Sequence, residues 1–250
     1  MSDDPSSRAP LDRSFDAAPG HLLPMAPGDR EPLLLDRGRP EAIEWAAQRL
    51  VAGGVVALPT DTVYGIAASL AHPAALDRLF AIKGRPRNKP IPILLASAAA
   101  LDLVAFAVPD AVRAVAARFW PGPLTIVVRA RAGTPDGVLG PDGTVGVRVP
   151  NHPVVLPVIE QAGGAIATTS ANRSGEAPAQ TATDVLAALG NAVDLILDGG
   201  TTPGGVPSTV VRFGDGGPEI LREGAIPISE LAAVWRTVLA GNLPVPESAT

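Results

Sequence analysis

The 250-residue chain has no cysteine, which removes disulfides, thiolate zinc sites and cysteine nucleophiles together. This fits a reducing compartment, and the cytoplasm is the expected location. Aromatic residues make up 4% of the chain. Trp45 and Trp120 lack the aromatic spacing of a base-stacking platform and read as core or wedge residues. No apolar run approaches the roughly 18 residues that span a bilayer, and the opening Met-Ser-Asp-Asp-Pro-Ser-Ser has neither the basic nor the apolar region of a signal peptide. A soluble, unexported protein without membrane contact is expected. There is no G-x-x-x-x-G-K-[ST], no G-x-G-x-x-G opening a helix, no H-E-x-x-H and no G-x-S-x-G elbow. His21, His72 and His152 show no ligand spacing and are expected to be structural or solvated.

Lysine is nearly absent too. Its two copies fall in one heptapeptide, Lys83-Gly-Arg-Pro-Arg-Asn-Lys89, which also holds two arginines and no acid. Elsewhere the chain uses arginine for positive charge, so these exceptions suggest sites that need a compact, strongly hydrated ammonium. A polyanion such as a triphosphate is the natural partner, and a solvated basic loop, in which a lysine has little to pack against, explains the segment equally well.

What is plentiful is apolar: 46% of residues are hydrophobic and the mean hydropathy is +0.24, ample for a buried core. The formal charge is −5. Residues 1–32 hold six acids (Asp3, Asp4, Asp12, Asp16, Asp29, Glu31) and three arginines (Arg8, Arg13, Arg30), a local −3 that leaves the remainder near −2. That balance argues against a nonspecific nucleic-acid binder. Residues 1–32 have no apolar periodicity and are expected to be a disordered acidic tail, with a second tail at 241–250 and one domain over 37–240.

Within that domain, short strand and helix patterns alternate, the mark of an α/β layered fold. Helices are predicted from Pro40 through Leu50, over Pro73–Ile82, Ala111–Trp120, Val154–Gln161 and Thr181–Leu189, and from a Ser229 cap to Leu239. Strands are predicted at Val55–Leu58, Leu124–Arg129, Val145–Val149, Ala165–Thr168, Leu195–Leu197, Val210–Phe213 and Ile220–Arg222. Pro92 interrupts Ile91–Leu95, which is predicted as an edge or irregular strand.

Five polar segments border these elements. Thr60 and Thr62 lie just past a strand end, and Asp61 between them suits a cation, a substrate amine or an ordinary turn. Thr168-Thr-Ser170-Ala-Asn172-Arg-Ser174-Gly175 packs hydroxyls and a carboxamide into one turn, which can serve a phosphate or cap the next helix. Thr144 and Arg148 share a strand face. Ser208 opens a strand, and Arg222 ends one. With Lys83, Arg85 and Lys89 this set is expected to line a polar, cationic cleft at one end of a sheet.

Pro59-Thr-Asp-Thr-Val-Tyr-Gly65, Lys83-Gly-Arg-Pro86 with Lys89-Pro90, Trp120-Pro-Gly-Pro-Leu-Thr125, Val147-Arg-Val-Pro150, Ser170-Ala-Asn172 with Ser174-Gly175, and Ser208-Thr-Val resemble the Sua5/YciO/YrdC family in content, order and spacing over about Arg37 to Gly224. The resemblance implies a single-domain α/β fold with a twisted mixed sheet and a large cationic concave cleft. It also implies an L-threonylcarbamoyladenylate synthase, a nucleotidyltransferase that condenses L-threonine, bicarbonate and ATP to threonylcarbamoyl-AMP and pyrophosphate for the t6A modification of tRNA. Thr62, Arg148, Thr168 and Ser208 match threonine-holding positions. Arg85, Lys89, Thr144, Ser170, Asn172, Pro178 and Arg222 match ATP-holding positions, with Lys83 in the same phosphate group; Lys83 and Arg85 are the catalytic candidates. Leu94 stands where long-form members carry a histidine, and the chain resembles the short form without their additional C-terminal domain. Mg²⁺ is expected to be held mainly by phosphates, no protein metal site is expected, and a downstream tRNA threonylcarbamoyl transferase, with tRNA contact, is the implied partner. The rivals are a carbamoyl-AMP-handling module and a noncatalytic RNA-binding protein.

Overall fold

The computed structural model describes residues 32–39, 41–214 and 216–241. The tail expectations for 1–31 and 242–250, the Pro40 helix start and His21 lie outside the described residues. Among the described residues ten strands form: β1 (Leu33–Asp36), β2 (Val56–Leu58), β3 (Gly65–Ser69), β4 (Ile93–Leu95), β5 (Leu124–Arg129), β6 (Thr144–Arg148), β7 (Ala165–Ser170), β8 (Leu195–Asp198), β9 (Thr209–Gly214) and β10 (Gly217–Arg222). They make one mixed sheet in the order β1-β8-β2-β3-β7-β4-β6-β5-β9-β10. Seven α-helices accompany them among the described residues: α1 (Ala42–Val51), α2 (Pro73–Lys83), α3 (Leu101–Val104), α4 (Asp110–Phe119), α5 (Val155–Gln161), α6 (Ala182–Leu189) and α7 (Ile228–Leu239).

Strand alternation divides the apolar residues between two faces. One core gathers Ala57, Ile66, Ile93, Ile126, Val147, Ala167, Ile196 and Val211 under α2, α3, α4, α6 and α7, and it runs along nearly the whole sheet. The opposite core joins Leu35, Leu58, Ala67, Leu94, Ile166 and Leu197 to α1 and α5, and it contains no residue of β6, β5, β9 or β10. One face of the sheet is therefore covered for only half its width. Arg148 of β6 and Thr125 of β5 lie on that open half, and Thr168 and Ser170 of β7 share the face from the covered side, so the polar set runs across the face of the sheet rather than at one end of it as the sequence suggested.

Several sequence expectations need correction. β4 is an interior strand, paired with β7 and β6. Pro92 ends up just before it, where no ladder N–H is required, and its carbonyl accepts the Thr168 N–H at 2.9 Å. β3 was missed because Gly-Ile-Ala-Ala-Ser has no alternation; all five residues are buried between β2 and β7. α7 starts one residue before Ser229, after Pro227, with no side-chain cap. Thr181 does cap α6, exchanging hydrogen bonds with Asp184 in a capping box.

The C-terminal strand pair is held by close backbone approach. The Thr209 hydroxyl donates to the Ile226 carbonyl at 2.7 Å and accepts the Ile226 N–H at 2.9 Å. A methyl at Gly224 would run into the backbone of Ser208 and Thr209. Gly224→Ala is expected to lower stability by about 1–3 kcal/mol through forced backbone displacement, read as a shift of the urea midpoint with an unchanged slope.

Candidate active site

The α2 helix carries its apolar stripe through Leu76, Leu79 and Phe80 to Lys83, all buried. The helix ends at Gly84, whose φ of +58° suits glycine. Lys83 is therefore the last residue of the helix rather than part of a loop, and it is 4% exposed. The idea that it has little to pack against is wrong, because positions 76, 79, 80 and 83 share one helix face. Its ammonium donates to the Ser170 carbonyl at 2.9 Å, to the Ser170 hydroxyl at 3.1 Å and to Asn172 Oδ1. Asn172 Nδ2 donates to the Glu176 carbonyl at 2.6 Å, which turns Oδ1 toward the lysine. All three ammonium protons are thus engaged. Burial lowers the Lys83 pKa to about 8, with Arg85 pushing the same way and Glu176 pulling it back up.

Arg85 folds over the next turn, donating from Nε to the Lys89 carbonyl at 2.7 Å and from Nη2 to the Pro90 carbonyl at 3.0 Å. A second cluster lies on the open half of the sheet. Arg148, at the end of β6, is bound through Nη2 to Asp61 Oδ1 at 2.5 Å and through Nε to the Gly122 carbonyl at 2.9 Å. Thr125 Oγ1 meets Ser208 Oγ at 2.9 Å, and Arg222 Nη2 donates to the Ser208 carbonyl at 2.6 Å and its hydroxyl at 2.9 Å. Burial holds the Arg222 guanidinium below its usual range, and Arg148 and Arg85 push it further down. The basic groups of the two clusters therefore act on one another.

Thr168 Oγ1 is buried and has no hydrogen-bond partner. Gly65 faces it, and a Cβ there would stand 2.7 Å from Thr168 Cγ2. Thr60 Oγ1 donates to the Val63 carbonyl at 2.7 Å and lies 3.0 Å from Thr62 Oγ1, so Thr62 supplies the proton between the two hydroxyls.

The structure thus brings together Lys83, Ser170 and Asn172 in one group and Arg148, Ser208 and Arg222 in the other, with Arg85 between them electrostatically and Thr62 and Thr168 buried nearby. Lys89 is exposed and joins through its backbone only. Thr144 opens β6, four residues from Arg148 and so about 13 Å away. Pro178 is exposed and lines a shallow cleft of about 360 Å³ with Ala177, Gln180 and Thr201. Sequence reasoning gave no role to Thr125, the Gly122 carbonyl or Glu176. Thr125 was within reach, since the core residues Leu124 and Ile126 turn it to the Arg148 face. Leu94 pairs with Arg148 across the β4–β6 ladder and is 6% exposed. Among the described residues no group of three or more His, Asp or Glu converges to hold a metal, and no helix is long and apolar enough to cross a membrane.

A family model named Sua5_yciO_yrdC, described as telomere recombination, matches residues 48–224. The threonylcarbamoyl-AMP synthase of Pyrococcus abyssi is 38% identical over 195 residues, covering 76% of this chain and 57% of the relative. That of Bacillus subtilis is 36% identical over 194 residues, covering 77% and 56%. The chain thus spans little more than half the length of these two curated relatives. The crystal structure of Pyrococcus abyssi Sua5 complexed with L-threonine superposes with a TM-score of 0.75 at 37% identity, covering 81% of this chain and 60% of that one.

The lowered Lys83 pKa has a sign that can be tested. Its folded value lies below the ordinary 10.5, so the empty protein carries the cost of the buried charge below about pH 8 and sheds it as pH rises toward 10.5. The unfolding free energy of the native protein minus that of Lys83→Met should therefore increase across this window, measured by urea denaturation. A flat difference would mean that Lys83 is not penalised by burial.

Proposed function

Since the chain belongs to the Sua5/YciO/YrdC family, we propose that it condenses L-threonine, bicarbonate and ATP into threonylcarbamoyl-AMP and pyrophosphate, as a nucleotidyltransferase. The observation that carries this reading is the convergence of Lys83, Arg85, Arg148 and Arg222: Arg85 helps burial to lower the pKa of Lys83, and Arg148 and Arg85 help it to lower that of Arg222, so the cluster calls for an anionic ligand. The names of the relatives and the threonine in the Pyrococcus abyssi complex support the substrates.

In this reading the threonine amine and bicarbonate give a carbamate, whose oxygen attacks the α-phosphorus as pyrophosphate leaves. Negative charge stays on phosphate oxygens throughout, so positioning and fixed positive charge supply the catalysis without a protein nucleophile. Lys83 and Arg85 face the polyphosphate with Ser170, Asn172, Arg222 and, from the rim, Lys89, Thr144 and Pro178. Because the Lys83 protons are already engaged, it acts as a buried charge behind Ser170 and Asn172. Arg148 offers the fork geometry that a carboxylate prefers, and Thr62, Thr168 and Ser208 offer hydroxyls to the rest of the amino acid. Asp61 is paired with Arg148, and magnesium would come with ATP, held mainly by phosphates and water. The product serves t6A formation on tRNA through a tRNA threonylcarbamoyl transferase, with tRNA contact, in the cytoplasm.

Pyrophosphate release from ATP and bicarbonate should require L-threonine, with serine and glycine as controls; threonine-independent release, or none, would move the reading to carbamoyl-AMP chemistry or to a binding protein. Thr168→Val checks the site separately. A buried hydroxyl without a partner costs about 1–3 kcal/mol, so the substitution should stabilise the empty protein by about 1 kcal/mol. The same substitution should raise the KM for threonine about tenfold, the loss of roughly one hydrogen bond, and leave ATP binding unchanged.

A further inference from the structure

Arg148 does not present an open guanidinium: it and Asp61 form a pair whose side chains are 9% and 13% exposed. Asp61 is not needed to fold its own turn, because the Thr60 hydroxyl already accepts the Thr62 and Val63 N–H groups and donates to the Val63 carbonyl. Beside Asp61 lies His152. Burial lowers its pKa, Asp61 pulls it back up, and Arg37 pushes the same way as burial. The Val154 N–H donates to His152 Nδ1 at 3.3 Å, which assigns the ring proton to Nε2. Asp61 thus stands between a guanidinium shaped for a carboxylate and a neutral imidazole, so its negative charge remains available to a ligand.

Resting on the synthase reading, we propose that Asp61 receives the α-ammonium group of the amino-acid substrate and takes its proton, freeing the amine to attack bicarbonate. In an α-amino acid the carboxylate and ammonium share one carbon. A substrate whose carboxylate takes Arg148 therefore holds its ammonium against the group it displaced. One ion pair becomes two, and no buried charge is left uncompensated. The step balances: the ammonium transfers one proton to Asp61, the amine nitrogen bonds to the bicarbonate carbon, and water leaves to give the carbamate. Asp61 then returns its proton to solvent and closes again on Arg148.

Asp61→Asn keeps an oxygen for Arg148 but cannot take a proton. Calorimetric binding of L-threonine and of its deaminated analogue 3-hydroxybutyrate, together with ATP binding, should show that the native protein prefers threonine by about tenfold and that the variant loses this preference with ATP affinity intact. Threonine-dependent pyrophosphate release should fall about 100-fold near neutral pH and recover as pH rises toward the pKa of the free amine. A variant that keeps the preference, or that loses ATP affinity and melting temperature together with activity, overturns the proposal and leaves Asp61 a structural partner of Arg148. The binding measurement stands apart from the synthase reading: a native protein that prefers threonine yet releases no pyrophosphate sinks that reading while the variant still decides the amine contact. A native protein that does not distinguish threonine from the analogue overturns the contact itself.

Discussion

The half-covered face of the sheet is the constraint on which the rest depends. A ten-stranded sheet exposes two faces, and each must be covered by apolar packing or filled with polar side chains whose hydrogen bonds are met. Helices α2, α3, α4, α6 and α7 cover one face along nearly its whole width, while α1 and α5 cover the other only from β1 to β4. Beyond that border the outward positions of β6 and β5 carry Arg148 and Thr125, Ser208 before β9 and Arg222 of β10 extend the row, and Thr168 and Ser170 of β7 adjoin it from the covered side. The site is the part of the fold that no helix protects, and its polarity follows from that.

Burial of cations is what makes this surface more than a wet sheet face. Lys83 is enclosed at a helix end, and Arg148 and Arg222 are anchored to backbone carbonyls, which fixes their positions. Backbone carbonyls satisfy these donors without adding charge, and of the three only Arg148 is also paired with a carboxylate, that of Asp61. Such an arrangement is costly when empty and becomes favourable when an anion arrives, so ligand binding and stability are linked through the same residues.

Much of this was legible in the sequence, for physical reasons that differ by element. Strands with clean alternation, such as Leu124–Arg129, and helices with a cap and a stop, such as the one Thr181 opens and Gly190 closes, declare themselves locally. The strand Gly65–Ser69 does not, because a strand buried on both faces between close neighbours can be built from small residues without alternation. Pro92 misled for a related reason: whether a proline breaks a ladder depends on its register against β6 and β7, which is a long-range fact. Within the site, the residue types and their order were readable, but the partners were not. That Lys83 meets Ser170 and Asn172, or that Arg148 meets Asp61, depends on a sheet order that joins segments 87 residues apart in each case.

The border between the covered and uncovered halves of the face also shapes the electrostatics of the site. Leu94 belongs to the core beneath α5 and lies directly across the ladder from Arg148. The stem of Arg148 therefore runs beside apolar packing while its guanidinium reaches Asp61 and the Gly122 carbonyl. An ion pair with an apolar wall on one side is poorly screened, so its Coulomb attraction is stronger than that of a solvated pair. The same wall penalises any state in which one partner is left alone. Arg148 and Asp61 are thus coupled tightly enough that a ligand must satisfy both to separate them, and a molecule carrying a carboxylate and an ammonium on one carbon meets that condition where a simple anion does not.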